Sequence, residues 1–394
     1  MSADKSLFYI SSLLITIGII FSFSLPIYFV ARNDYSIYHF FIRQFGAGIL
    51  SIFLMWFLSR LDPDKWLFRI GVLFFIIFTI LMISMPFLPS SIARIVNGAK
   101  RWIHTPFFAI SPVEFFKIGF IYCLAWSFSR KIDGTKKSFT TEIKILIPYI
   151  LLFLFYVFLI AFMQNDLGQI VVLAVILIFL ALFAGTSFKL FMMGFILSVC
   201  VAVVAILSTS HRLNRIMNWW AYAQDIFLKF LPDNLADHLR IEVVVEQTGQ
   251  VANSLNAIKY GSIYGQGFGF GSYKLGFLPD VHTDFVLAGI SEEIGFIGFC
   301  FIAFLMFMVI FFILKISARS ENKVYHLFSL GIALMIFTAF IINSYGISSV
   351  IPLKGIPVPF LSYGGSSLLA TSIGVGMVLM LSKKTSKKAS YDSN

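Results

Sequence analysis

The chain has 394 residues, 59% of them hydrophobic and 12% charged, with a mean hydropathy of +0.89. Too few polar side chains remain to build a water-soluble surface, so soluble classes are excluded and the chain reads as an all-α polytopic membrane protein, one unit over residues 1–394. The net charge of +11 is dispersed over separate loops, which fits attraction to anionic headgroups and argues against a nucleic-acid partner.

Ten spans of about 20 residues are predicted, at 7–31, 37–59, 67–88, 107–128, 143–162, 169–184, 190–208, 285–316, 325–345 and 362–381. The first run is longer than a signal-peptide core of roughly 7–15 residues and lacks a small-residue cleavage site, so it stays as the first span. Short loops holding Arg60, Lys65, Arg69, Arg130, Lys131, Lys136, Lys137, Lys315, Arg319 and Lys323, with a basic tail at 382–394, place both termini in the cytoplasm. Cys123, Cys200 and Cys300 all lie in apolar runs and read as buried small hydrophobes, not as a disulfide framework. No metal-ligand spacing, Walker A sequence or Ser-His pattern is present.

Between the third and fourth spans, Arg94, Lys100, Arg101 and His104 lie outside, against the charge trend. Lys100 and Arg101 beside Trp102 suit the pyrophosphate of a membrane lipid, and ordinary interfacial anchoring explains them equally well. Glu114 and Lys117, spaced i,i+3, share a helix face and either neutralise each other or present a polar pair to a cavity.

The large outer loop at 209–283 opens on an amphipathic stretch, whose Trp219, Trp220, Tyr222, Phe227, Leu228 and Phe230 suit the membrane interface or a solvated cap over the spans. The glycines from Gly261 to Gly276 allow close backbone approach to a ligand, or simply a mobile loop. They are not a dinucleotide fingerprint, because no strand-turn-helix surrounds them. Next comes LPDVHTDFVLAGISEEIG, Leu278 to Gly295, with Asp284, Glu292 and Glu293 in or beside an apolar run. An intramembrane carboxylate costs roughly 2.5–3.5 kcal/mol to insert, which marks all three as functional candidates. Asp284 also reads as a helix N-cap, since Thr-Asp before an apolar run is a start signal. Before span 10, Pro352, Pro357 and Pro359 with Gly355, Gly364 and Gly365 rule out a continuous helix and predict a broken or re-entrant segment. Its free amides and Lys354 would form an anion-friendly wall.

Taken in order, NGAKRWI, SPVEFFK, QNDLGQ, NSLNAIKYGSIYGQGFGFG, LPDVHTDFVLAGISEEIG and PLKGIPVPFLSYGGSS resemble the SEDS family (shape, elongation, division and sporulation). Its members are polytopic bacterial enzymes that polymerise peptidoglycan from lipid II. NGAKRW with Asn97, NSLNAI and PLKG are more similar to the division, FtsW-like branch than to the RodA-like elongation branch. The resemblance implies a glycosyltransferase working at the outer face of the cytoplasmic membrane, at the division septum, with release of polyprenyl diphosphate. It implies Asp284 as the catalytic carboxylate, with Arg101, Glu114, Lys117 and Asp166 lining a cavity; Lys100, His282 and Lys354 complete the expected substrate-binding set. No cofactor is required, and a divalent cation at the diphosphate is compatible. The implied partners are a class B penicillin-binding protein, whose membrane helix would pack on 191–204 or on the eighth and ninth spans, and other division proteins. Two departures stand out: Ser111-Pro112-Val113-Glu114 replaces the family's Gln-Pro-Ser-Glu, and 227–245 reads as an insertion. A lipid II transporter is the alternative; it would call for an internal repeat, and none is visible.

Overall fold

A computed structural model describes residues 3–96, 98–105, 109–132, 138–207, 210–229, 231–240, 249–278, 280–352 and 355–389. In chain order its helices are α1 (Ala3–Ser24), α2 (Ile27–Arg32), α3 (His39–Arg60), α4 (Pro63–Ser84), α5 (Pro112–Lys131), α6 (Phe139–Val157), α7 (Leu167–Ala184) and α8 (Phe188–Leu207). Then follow α9 (Ser210–Leu228), α10 (Asp233–Leu239), α11 (Gly249–Gly261), α12 (Val286–Ala318), α13 (Lys323–Ile347) and α14 (Gly365–Ala389). All ten predicted spans fall on helices, and eight of these are long and apolar enough to cross a membrane. Of the other two, α5 carries Glu114 at one end and Arg130 and Lys131 at the other, and α8 contributes the shorter apolar stretch Phe188–Val204.

α5 tolerates its charges because it runs through the protein rather than along lipid: fourteen of its residues, from Pro112 to Phe128, are buried. α4, α7 and α13 pack around it, α14 joins α3, α5 and α13, and α1 packs on α3 and α12. The centre is therefore built from α5, α13 and α14, with apolar side chains such as Phe116, Ile121, Phe328, Ile336 and Val375 fully enclosed.

Several expectations are corrected. The first run does not form one helix to residue 31: α1 stops at Ser24 and α2 starts after Pro26, whose ring and missing N–H break the ladder. Cys200 and Cys300 are exposed on α8 and α12 and Cys123 is half-buried, all three as free thiols. In a membrane protein an apolar residue need not be buried in protein, because lipid serves as well. The basic tail is not wholly separate either, since α14 continues to Ala389.

α12 contains a break that its sequence does not announce. Gly295 has φ 70° and ψ −173°, outside the helical region, within a 33-residue helix. The backbone groups freed there are satisfied by the glycine-rich segment that follows α11. Gln266 N–H and Gly267 N–H donate to the carbonyls of Glu292 and Glu293 at 2.9 Å each, and Phe296 N–H and Ile297 N–H donate to Ser262 and Ile263. A Cβ on Gly261 or Gly265 would lie 1.9 or 2.3 Å from α12 carbonyl oxygens. At Gly261 and Gly265, then, the close approach is made to the protein's own helix. In α9, Trp219 donates its indole N–H to Ser349 O at 2.8 Å and Trp220 to Leu239 O at 2.7 Å, while Leu228 is buried. This matches a cap over the helix ends; the side chains of Tyr222, Phe227 and Phe230 lie outside the description.

The segment before α14 is non-helical and buried. Ile356, Val358, Phe360, Leu361 and Ser362 are almost fully enclosed, and Phe360 adopts φ 66°. Its polar backbone is paid for internally: Ser362 Oγ accepts from Val358 N–H at 2.8 Å and donates to Thr283 O at 2.7 Å, while Gln44 donates to Ser362 O. The prolines predict such a break in the helix, and the non-helical backbone is enclosed by protein that satisfies it.

Candidate functional site

α5 begins with Pro112 at its first turn, where a missing N–H costs nothing, so Glu114 and Lys117 fall on its inward face one turn apart. Lys117 Nζ lies 2.8 Å from Glu114 Oε2. Gln169, on the first turn of α7, completes the pair: its Nε2 donates to Glu114 Oε1 at 2.8 Å and its Oε1 accepts from Lys117 at 2.9 Å. The result is a closed, neutral ring of three side chains, each no more than 5% exposed. Two bare charges here would cost several kcal/mol each; mutual pairing and the amide offset that. Gln169 escaped the sequence reading, although the QNDLGQ motif that contains it was noticed.

Asp166 is the N-cap of α7, accepting from Gln169 N–H at 3.4 Å. Burial pushes its carboxyl above the ordinary range, and the Arg101 guanidinium opposes this. Arg101 lies between two short antiparallel ladders, Ile95–Val96 with Ala99–Lys100 and Ile103–His104 with Ala109–Ile110. Its Nε donates to Gln164 O at 2.7 Å and its Nη2 to Asn165 O at 2.8 Å, with Trp102 beside the guanidinium. Arg101, Asp166, Glu114 and Lys117 thus form one cluster at the N-terminal ends of α5 and α7.

Glu114 and Lys117 also line a cavity, together with Ala339 of α13, Ile356, Pro357 and Pro359 of the non-helical segment, and Ser367 and Thr371 of α14. It is about 10 Å³ measured at the centre of a water-sized sphere, enough for roughly one water molecule. Asp284 approaches the same segment from the other side. Its Oδ2 lies 2.8 Å from where a Cβ on Gly355 would stand, so a side chain there would require the carboxylate to shift. The cap of α12 is Phe285, which makes no side-chain capping bond, so the half-buried Asp284 lies one residue outside the cap position. Asn343 of α13, fully buried and absent from the sequence reading, donates from Nδ2 to both Asp284 O at 2.8 Å and Ile356 O at 2.9 Å.

Other expected residues are placed elsewhere. Lys100 is turned toward the end of α4, donating to Pro86 O at 3.1 Å and to Leu88 O, as a cation does at a helix C-terminus. His282 sits in an aromatic cage of Phe29, Phe40 and Tyr363, with ring centroids 4.9–5.6 Å away. Burial drives its pKa down to about 4, so it is neutral at physiological pH. Lys354 lies outside the described residues. Glu292 and Glu293 belong to the scaffold: Glu292 accepts from Ser272 N–H and Tyr273 N–H, and Glu293 pairs with the buried Lys274 at 2.6 Å. Among the described residues no group of three or more His, Cys, Asp or Glu side chains is placed to hold a metal ion.

What this arrangement offers chemically is a carboxylate against Gly355, on a segment whose next residues line the cavity of Glu114 and Lys117. A family model described as "Cell cycle protein" and shared by FtsW, RodA and SpoVE matches residues 4–387. The chain is 44% identical over 391 residues to a Helicobacter pylori protein named "Probable peptidoglycan glycosyltransferase FtsW", covering 98% of this chain and 100% of that one. A Haemophilus influenzae protein of the same name is 31% identical over 384 residues, covering 96% and 90%. Among solved structures, a chain from "Structural coordination of polymerization and crosslinking by a peptidoglycan synthase complex" superposes with TM-score 0.69 at 20% identity, covering 98% of each chain. The Thermus thermophilus rod shape determining protein RodA gives TM-score 0.60 at 18% identity over 96% of each.

Proposed function

The chain belongs to the SEDS family of cell cycle proteins, the FtsW, RodA and SpoVE group, and from that membership we propose that it is a peptidoglycan glycosyltransferase of the FtsW branch. Its substrate is lipid II, a disaccharide-peptide carried on polyprenyl diphosphate at the outer leaflet. The acceptor 4-hydroxyl attacks the anomeric carbon while the bond from that carbon to the diphosphate oxygen breaks. Asp284 takes the hydroxyl proton, and polyprenyl diphosphate departs toward the cations of Arg101 and Lys117. One displacement inverts the anomeric centre, with no second carboxylate needed as nucleophile. The mechanism uses no cofactor, and a divalent cation at the diphosphate is compatible with it.

The observation that carries this reading is the placement of Asp284. Its carboxylate lies against Gly355 on the segment whose next residues line the cavity of Glu114 and Lys117. Both termini are cytoplasmic in this reading, and the protein works at the septum with a class B penicillin-binding protein, whose single membrane helix packs on an apolar outer face.

Purified protein given lipid II already accessible in detergent is expected to make glycan polymer, where a transporter would make none. Absence of polymer from a preparation that binds lipid II, with or without the transpeptidase, would overturn the enzyme assignment.

A further inference from the structure

The carboxamide of Asn343 joins the Asp284 turn to the Pro/Gly segment through two hydrogen bonds from a single nitrogen. Asn343 stands one turn from the C-terminal end of α13, with none of its surface exposed. An amide in that position is costly unless it is bonded. Both hydrogens of its Nδ2 are used, one on Asp284 O at 2.8 Å and one on Ile356 O at 2.9 Å. Each of these carbonyls lies outside regular helix, in segments 72 residues apart in sequence that are also joined by Ser362 Oγ donating to Thr283 O at 2.7 Å and Tyr363 N–H donating to His282 O at 2.8 Å. Its Oδ1 is buried with no donor in reach among the described residues. The amide orientation is forced, since the reversed one would aim an oxygen at two carbonyl oxygens.

We propose that Asn343 is a positioning residue for the reaction, a staple that sets the distance between Asp284 and the 355–359 wall. The inference rests on Asp284 being the base. A Cβ on Gly355 would stand 2.8 Å from Asp284 Oδ2, so glycine leaves room for the carboxylate, and Asn343 sets the spacing at Asp284 itself while Ser362 and Tyr363 hold the neighbouring Thr283 and His282. A displacement of about 1 Å at such a site costs about 10²-fold in turnover.

The test compares Asn343→Leu, which removes both donors, Asn343→Ser, which keeps a single donor on a shorter side chain, Gly355→Ala, which crowds the Asp284 carboxylate from the other wall, and the double variant Asn343→Leu/Gly355→Ala. Maximal turnover on lipid II should fall about 10²-fold in Asn343→Leu, less in Asn343→Ser, with half-saturating lipid II unchanged. Gly355→Ala should show the same split, and the double variant should lose less than the product of the single losses, because both changes act on one distance. Turnover per folded molecule equal to wild type in Asn343→Leu, or independent, multiplicative losses in the double variant, would overturn the inference. Should Asn343→Leu not fold, Asn343→Ser and Gly355→Ala carry the same test. Asp284→Asn measured alongside separates the two readings: if it retains turnover the base assignment itself has failed, whereas an inactive Asp284→Asn with wild-type Asn343 variants removes only the staple.

Discussion

Two buried charge clusters in this molecule look alike in sequence and differ in structure. At one, Glu114 and Lys117 meet the side chain of Gln169 and face a cavity. At the other, Glu292 receives the amides of Ser272 and Tyr273 at 2.6 and 2.9 Å, and Glu293 Oε1 receives Lys274 at 2.6 Å and Ser24 Oγ at 2.5 Å. Lys274 itself also donates to the carbonyl of Ser24. The second cluster therefore ties α1, the glycine-rich loop and the N-terminal part of α12 together just before the break at Gly295. A carboxylate in an apolar run shows only that its desolvation is compensated. Backbone amides as partners indicate scaffolding, while side-chain partners beside a cavity leave the group within reach of a substrate.

The largest effect that separates the clusters is on stability. Lys274→Met strands Glu293 as an uncompensated buried charge, which typically costs about 3–5 kcal/mol. The melting temperature in detergent should drop steeply while turnover per folded molecule stays near wild type. Lys274→Met combined with Glu293→Leu should recover much of the loss, since apolar replacement of a buried pair is often neutral. Turnover that collapses in the folded fraction of the double variant would make the second cluster catalytic and break the comparison.

A smaller effect, on turnover, belongs to the first cluster. Arg101→Ala removes charge-assisted bonds of about 1.5–3 kcal/mol and should lower lipid II use by roughly 10- to 10²-fold. Arg101→Lys should restore only part of it, because an ammonium cannot reproduce the planar fork that reaches both Gln164 O and Asn165 O. Wild-type polymerisation by Arg101→Ala at limiting lipid II would reduce this loop to an interfacial anchor.

The smallest effect concerns His282, between the two regions. Its folded pKa is about 4 against an ordinary 6.5, so the folded state binds fewer protons than the unfolded chain between those values. Its contribution to stability is therefore complete above about pH 6.5 and is lost as pH falls toward 4. His282→Phe should flatten the acid side of a melting-temperature profile. An unchanged profile would show that the cage does not hold a neutral ring.

Much of the architecture was legible because apolar runs of span length permit few alternatives: the ten expected spans fall on helices, the first of them broken at Pro26, and Pro352, Pro357 and Pro359 marked the non-helical segment before α14. Pro26 was equally visible inside the first run, yet hydropathy averaged over it. The break at Gly295 was hidden, because a lone glycine in a long apolar run is ordinary and only the pairing with Ser262–Gly267, far back in the chain, makes it a break. The site was legible where residues are charged, as at Asp284, Arg101, Glu114 and Lys117. It was not legible where an amide acts, since Gln169 and Asn343 gain meaning only from partners 13 to 59 residues away. Lys100 misled for the opposite reason: its charge is real, but the carbonyls at the end of α4 claim it.

Asp284→Asn measures the central claim most directly. It keeps the shape of the side chain against Gly355 and removes the proton acceptor, so folding and lipid II binding should persist while polymerisation falls by about 10²–10⁴-fold, the usual contribution of a general base. Where the Asn variant fails to fold, Asp284→Glu serves in its place, retaining a carboxylate but displacing it, with turnover again expected to fall. Glycan made by folded Asp284→Asn at near wild-type rate would contradict the assignment and leave this carboxylate as part of the frame.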